Sequence, residues 1–156
     1  MILHFAYGSN MSRAAMRAHA PWAQPLGVAV LAGYRFVITS DGYASIVPQF
    51  ASSVYGVLWR LTPRDRATLA AWESVAAGLY RTAILPVRRE GRRMPALTYI
   101  ARRRPEGRAK TGYMDVVLAA ALEWELPAVY IESLRRWLPQ HSAWRNSRKL
   151  KEFGWT

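Results

Sequence analysis

Glu73 is the one charged residue in the segment from Leu69 to Tyr80, which reads LAAWESVAAGLY. Apolar surroundings remove water from a carboxylate, which raises its pKa toward neutrality and suits it to proton transfer. The segment therefore predicts a general acid/base at Glu73. A glutamate that ends a helix and points into water fits the same context, and the local residues leave both interpretations open.

Tyr7, Gly8, Ser9 and Asn10 form a second group with chemical potential, because they follow the apolar run 2–6 and precede a helical pattern. A chain that leaves a strand and enters a helix presents free backbone N–H groups beside the positive end of the helix dipole. This turn is predicted to bind a carboxylate or another anion. An ordinary strand–helix turn with a good cap is the alternative.

Other catalytic groups receive less support from the sequence. The chain has no cysteine, which excludes a thiolate nucleophile, a disulfide and a cysteine-based metal site. Its three histidines lack metal-ligand spacing, and no Gly-x-Ser-x-Gly elbow is present. Structural roles are expected for the histidines, which are His4, His19 and His141. Surface positions are expected for the carboxylates of Asp65, Glu90, Glu106, Glu125, Glu132 and Glu152.

The formal net charge of +12 is large for a chain of 156 residues. Such a charge attracts nucleic acid, anionic membrane surfaces or acidic small molecules, although basic residues spread along a chain also serve as a solvated surface. Local basic runs lie at 88–93, 102–108 and 145–151. The N-terminus lacks the pattern of a secretory signal, and no apolar run approaches the ~20 residues that cross a bilayer. A cytoplasmic protein without a membrane partner is expected.

The elements that position these residues alternate between strands and helices. Strands are predicted at 2–6, 26–40 (split at Ala32-Gly33), 43–47, 54–61, 80–88 and 96–103. Helices are predicted at 11–19, started by Ser9 or Asn10, at 62–72, 112–126 and 127–138. This order is typical of one α+β domain over residues 1–138, followed by a basic, aromatic tail at 139–156.

Four motifs in this order resemble the gamma-glutamylcyclotransferase-like family, which includes gamma-glutamylamine cyclotransferase-like proteins. They are Phe5–Met11 (FAYGSNM), Val54–Leu61 (VYGVLWRL), Glu73–Tyr80 (ESVAAGLY), and Leu126–Leu134 with its Leu-Pro-x-x-Tyr pattern. The resemblance implies a small mixed β-barrel with flanking helices. It also implies an enzyme that cyclises a gamma-glutamyl compound to 5-oxoproline and releases an amine or amino acid.

The resemblance also implies roles for individual residues. Glu73 would be the acid/base, and the loop from Tyr7 to Met11 would hold the substrate. The implied substrate-binding residues are Tyr7, Gly8, Ser9, Asn10, Met11, Tyr80 and Tyr113. No cofactor or metal is implied, because nucleophile and electrophile belong to one molecule and need only be brought together.

Departures from the family pattern leave the leaving group of the gamma-glutamyl substrate open. Ser74 stands where the family has glycine, so the local turn is expected to avoid the left-handed conformation that glycine tolerates. Lys110-Thr111-Gly112 replaces the family's Pro-Ser before Tyr113. A second interpretation of the chain is a non-catalytic basic module on the same fold that binds nucleic acid or an acidic partner.

Overall fold

The computed structural model describes residues 2–139, in which five strands close into a barrel with the order β1-β3-β2-β4-β5. The strands are β1 Ile2–Ala6, β2 Gln24–Ile38, β3 Ala44–Leu61, β4 Tyr80–Arg89 and β5 Arg92–Ala101. Neighbouring strands are antiparallel except β1 and β5, which are parallel where His4 faces Leu97. The predicted α+β fold, a small mixed β-barrel with flanking helices, is confirmed.

The helices are α1 Arg13–His19, α2 Pro63–Trp72, α3 Tyr113–Glu123 and α4 Ala128–Leu134, with 3-10 turns at Ser9–Met11 and Arg135–Trp137. Helix α1 connects β1 to β2, α2 connects β3 to β4, and α3 and α4 follow β5. Within residues 2–139, no helix has the length and apolar character needed to span a bilayer. The predicted tail, apart from residue 139, lies outside the described residues, so the domain boundary at 138 stays a prediction.

The start of α2 is closed by a reciprocal capping arrangement, which corrects one expectation. Thr62 accepts a hydrogen bond from the Asp65 backbone N–H at 3.1 Å, and the Asp65 carboxylate accepts one from the Thr62 N–H at 3.2 Å. The same carboxylate also accepts from the Trp22 N–H at 3.3 Å. Asp65 was expected on the surface, but it is fully buried, because these donors satisfy its oxygens inside the protein.

The two long strands differ from the prediction of shorter pieces. The Ala32-Gly33 position does not divide β2, because a register shift between Ala32 and Tyr34 absorbs Gly33 at φ +82° and pairing continues. The segments predicted at 43–47 and 54–61 are likewise parts of one strand, β3.

The start of α1 also differs from the prediction. Its N-cap is Ser12 and not Ser9 or Asn10. The Ser12 hydroxyl accepts a hydrogen bond from the Ala15 N–H at 3.3 Å. Ser9 and Asn10 belong to the 3-10 turn that precedes the helix.

Strand β3 pairs with both β1 and β2, and its residue Gly56 allows the end of β1 to approach it closely. A Cβ atom at Gly56 would lie 2.3 Å from the Ala6 carbonyl oxygen and 2.8 Å from the Phe5 ring. Neither neighbour can move freely, since Phe5 is fully buried in the core and Ala6 is paired with Val57. This close pairing positions the end of β1, and with it the Tyr7–Asn10 turn, against β3.

Replacing Gly56 with alanine should therefore destabilise the protein by about 3 kcal/mol, because a buried methyl group would force the two strands apart. Urea unfolding of the variant measures this loss. Gly91→Ala is the control, since Gly91 has φ +73° with nothing within 4 Å of its added Cβ, so only about 1 kcal/mol of backbone strain is expected there. Equal losses in the two variants would contradict the steric account of Gly56.

Candidate functional site

A cavity of about 490 Å³ opens where the end of β1 meets the C-terminal ends of α1 and α2. Its volume lies in the range of small-molecule sites. Residues from β1, the following turn, α2, β4, β5 and α3 line it. They include Tyr7, Gly8, Ser9, Asn10, Glu73, Tyr80 and Tyr113, together with His4, His19, Tyr43, Trp72, Tyr99 and Val116.

Glu73 reaches the cavity because it is the C-cap of α2. The helix ends in a Schellman arrangement, in which the Val75 N–H donates to the Ala70 carbonyl and the Ser74 N–H to the Ala71 carbonyl, each at 3.1 Å. Ser74 has φ +51° at the position that glycine usually occupies. The expectation that Ser74 avoids the left-handed conformation is therefore wrong, because the two capping hydrogen bonds hold it there at a cost of about 1 kcal/mol or more.

The carboxylate of Glu73 accepts a hydrogen bond from the Asn10 side-chain amide at 3.0 Å. Burial raises the pKa of Glu73 to about 7, and the hydrogen bond from Asn10 opposes part of that shift. Within the described part of the chain, no lysine or arginine lines the cavity. The raised pKa predicted from the isolated position of Glu73 is thus found, with desolvation as its main cause.

The turn after β1 packs tightly against Tyr113. A Cβ atom at Gly8 would lie 2.8 Å from the Tyr113 hydroxyl oxygen, so only glycine fits at this approach. Ser9 contacts the same hydroxyl through its backbone and its side chain. Burial raises the pKa of Tyr113 to about 12, so this hydroxyl keeps its proton at neutral pH.

Ala44, at the start of β3, anchors two tyrosines through its backbone. Its N–H donates to the Tyr113 hydroxyl at 3.3 Å, and its carbonyl accepts from the Tyr80 hydroxyl at 2.6 Å. Tyr7 similarly donates its hydroxyl proton to the carbonyl of Tyr99. Tyr7 and Tyr80 therefore use their protons within the protein and present mainly aromatic surface to the cavity.

Met11 is the one predicted site residue that does not line the cavity within the described structure. Its side chain is fully buried in the core, and its carbonyl accepts a hydrogen bond from the Trp124 indole N–H at 2.7 Å. Met11 thus fixes the end of the Tyr7–Asn10 turn to helix α3.

Several cavity residues were missed by the sequence-based prediction. His4 and His19 were expected to be structural, and both make structural contacts: His4 Nδ1 lies 3.0 Å from the Leu97 carbonyl oxygen, and His19 stacks on Trp72 with ring centroids 3.8 Å apart. Burial lowers the pKa of His4 to about 4 and also lowers that of His19, so both are neutral near pH 7. Trp72 also lines the cavity, although the sequence analysis did not predict it as a site residue. Its position directly before Glu73 in the sequence was the signal that could have identified it.

In the described range 2–139, no three His, Asp or Glu side chains cluster as a metal-binding group. Four arginines instead gather at the β4–β5 turn, where Arg88 faces Arg93 and Arg89 faces Arg92 across the strands. None of these arginines lines the cavity.

Comparison with known proteins places this chain in a family. A family model described as the AIG2-like family matches residues 53–134, just over half of the chain. The chain belongs to this family. The gamma-glutamylcyclotransferase-like resemblance drawn from the four motifs is confirmed.

This AIG2-like protein matches two relatives named gamma-glutamylcyclotransferase over most of their length. It is 27% identical over 144 residues to mouse gamma-glutamylcyclotransferase, covering 85% of this chain and 77% of the relative. It is 24% identical over 161 residues to the human gamma-glutamylcyclotransferase, covering 96% and 86% of the two chains. A solved structure named gamma-glutamyl cyclotransferase matches the fold with a TM-score of 0.83 at 23% identity, covering 97% and 96%.

The raised pKa of Glu73 predicts a pH-dependent stability difference between the wild type and Glu73→Gln. Below about pH 4.5 the carboxyl group is protonated in the folded and unfolded states and carries no penalty. As pH rises from about 4.5 to about 7, the unfolded chain ionises this carboxyl group while the folded protein keeps it protonated, so stability is lost, and the loss levels off above about pH 7. The free energy of unfolding of the wild type should fall relative to the variant by about 3 kcal/mol between pH 4.5 and 7.5.

Urea unfolding of both proteins at several pH values measures this difference, because every other titrating group is common to the pair. A difference that stays constant from pH 4.5 to 7.5 would contradict the raised pKa.

Proposed function

We propose that this protein converts a gamma-glutamyl compound to 5-oxoproline and a free amine or amino acid, with Glu73 as the general acid/base. The observation that carries the proposal is the carboxylate itself: Glu73 is partly buried in the cavity, contacts Asn10, and has a pKa raised to about 7 by desolvation. A carboxylate with a pKa near the working pH can both accept and return a proton.

The proposed reaction closes a ring within the substrate. Glu73 takes a proton from the α-ammonium group, and the freed amine attacks the side-chain carbonyl carbon to form a C–N bond. The protonated Glu73 then gives that proton to the leaving nitrogen as its bond to the same carbon breaks. The ring nitrogen passes its second proton, through the freed Glu73, to the released amine, so the products are the neutral lactam and an ammonium ion. Binding in one folded conformation supplies most of the acceleration, because the reacting groups already belong to one molecule.

The turn from Gly8 to Asn10 and the Tyr113 hydroxyl are proposed to stabilise the negative charge of the substrate. Backbone N–H groups at such a turn bind a carboxylate or a developing oxyanion. The proposal is supported by the packing of the Tyr113 hydroxyl against Gly8 and Ser9, which would put a protonated donor beside those N–H groups. Tyr7 and Tyr80 would form aromatic walls around the gamma-glutamyl group.

A basic binding module is the second candidate function, and the arginines at the β4–β5 turn favour it. Arg88 and Arg93 face each other directly, as do Arg89 and Arg92, and like charges in such positions are destabilising. An acidic partner or nucleic acid would relieve that repulsion. This candidate does not account for the buried carboxylate in the cavity, because a binding surface for anions gains nothing from one.

The proposed chemistry predicts that Glu73→Gln loses 5-oxoproline release by ~100-fold or more, since glutamine cannot transfer the proton. Release is measured from glutathione, gamma-glutamyl amino acids and gamma-glutamylamines. Glu90→Gln is the matched control, because Glu90 lies exposed at the β4–β5 turn and its variant should keep full activity.

In the wild type, kcat/KM should rise with pH through about 7 as Glu73 ionises.

Circular dichroism establishes that both variants are folded before the rates are compared. No release from any compound by the folded wild type would reject the cyclotransferase and favour the binding module. Equal release by the wild type and Glu73→Gln would reject the role of Glu73.

A further inference from the structure

The mouth of the cavity differs in chemistry from its interior. Three of the lining residues are well exposed and therefore lie at the mouth: Tyr43, Trp72 and Val116, with 38%, 58% and 41% of their surface accessible. All three present apolar or aromatic surface. The polar groups, Glu73 and Asn10, lie deeper, where burial is sufficient to shift the pKa of Glu73.

This arrangement orients a gamma-glutamyl substrate. Its polar head, which carries the ammonium, the α-carboxylate and the reacting carbonyl, requires the polar interior around Glu73 and Asn10. The leaving group is attached on the other side of the reacting carbonyl and must then extend toward the mouth. The residues at the mouth would thus choose among leaving groups.

Trp72 is the main surface at the mouth and is held in place from one side. Its ring stacks on His19 with centroids 3.8 Å apart and an interplanar angle of 24°. Burial lowers the pKa of His19, which favours the neutral form of this stacking partner. A ring fixed on one face can receive a second ring on its free surface at little entropic cost.

The described residues around the cavity provide no lysine or arginine for a carboxylate on the leaving group. A leaving amino acid or dipeptide would bring such a carboxylate into apolar surroundings without an ion-pair partner, which is unfavourable. A cationic leaving group would approach a chain of net charge +12, which repels it.

We propose that the cavity mouth formed by Tyr43, Trp72 and Val116 selects gamma-glutamyl amides of aromatic amines that lack a carboxylate. This inference rests on the proposed function, because it assumes that the gamma-glutamyl head binds at Glu73. It identifies Trp72 as the residue that determines specificity for the leaving group.

The test compares kcat/KM of the full-length chain for four compounds that share the gamma-glutamyl head: the phenethylamide, the propylamide, the 3-aminopropylamide and gamma-glutamylphenylalanine. The kcat/KM for the phenethylamide should exceed that for each of the other three compounds by ~10-fold or more, because only its leaving group is both aromatic and uncharged. Similar values for phenethylamide and propylamide, or a higher value for gamma-glutamylphenylalanine, would overturn the inference.

Variants of Trp72 test whether this side chain causes the preference for an aromatic leaving group. Trp72→Leu should reduce the phenethyl-to-propyl ratio by ~10-fold, whereas Trp72→Phe should restore most of it, because the stacking surface returns. The pH profile for the propylamide should stay unchanged, which shows that the neighbouring Glu73 is undisturbed. Trp22→Leu is the matched control, since Trp22 is 54% exposed but does not line the cavity. An unchanged ratio in Trp72→Leu would overturn the assignment.

Calorimetric binding of the phenethylamide and propylamide to Glu73→Gln separates the two proposals. If no compound is turned over, the proposed function fails, and the binding ratio alone decides the inference about the mouth. Binding of the phenethylamide that is ~10-fold tighter supports an aromatic subsite, and equal binding rejects it.

Discussion

The hydrogen bond from the Asn10 amide to the Glu73 carboxylate, 3.0 Å long, joins the turn after β1 to the end of α2. Two opposing effects meet at this contact: burial raises the pKa of Glu73, and the donated hydrogen bond lowers it. Burial is the larger effect, and the resulting pKa is about 7. Full exposure would leave an ionised group with a pKa near 4.5, whereas burial without Asn10 would keep it protonated through the neutral range. The proposed proton transfer near neutral pH would depend on the balance of the two effects.

The backbone on each side of this hydrogen bond is held by a close approach or by strain. Gly8 allows the Tyr113 hydroxyl to lie against the turn, and Gly56 allows the end of β1 to pair closely with β3. On the other side, the Schellman arrangement keeps Ser74 at φ +51° and aims Glu73 into the cavity. Such strain persists only where surrounding contacts enforce it, and here those contacts also determine the position of the carboxylate.

Local patterns and the motif resemblance indicated the central elements of this account, although the residues around Glu73 left a solvent-facing helix end equally open. The isolation of Glu73 among apolar residues predicted its raised pKa, and the motif resemblance predicted the barrel. Long-range packing was not predictable: Asp65 is buried because the Trp22 N–H reaches it, and Trp72 meets His19 from a different helix. Patterns in one segment contain no information on these partners. The conformation of Ser74 was predicted wrongly because residue preference was weighed without the capping hydrogen bonds that oppose it.

The most direct test of the central claim is a ¹³C NMR titration of the Glu73 carboxyl carbon, assigned by its loss in Glu73→Gln. The account predicts a midpoint near pH 7 in the wild type and a higher midpoint in Asn10→Ala, where the hydrogen bond to the charged form is lost. A wild-type midpoint near pH 4.5 would contradict it, because Glu73 would then be an ordinary solvated carboxylate and a poor proton carrier at neutral pH.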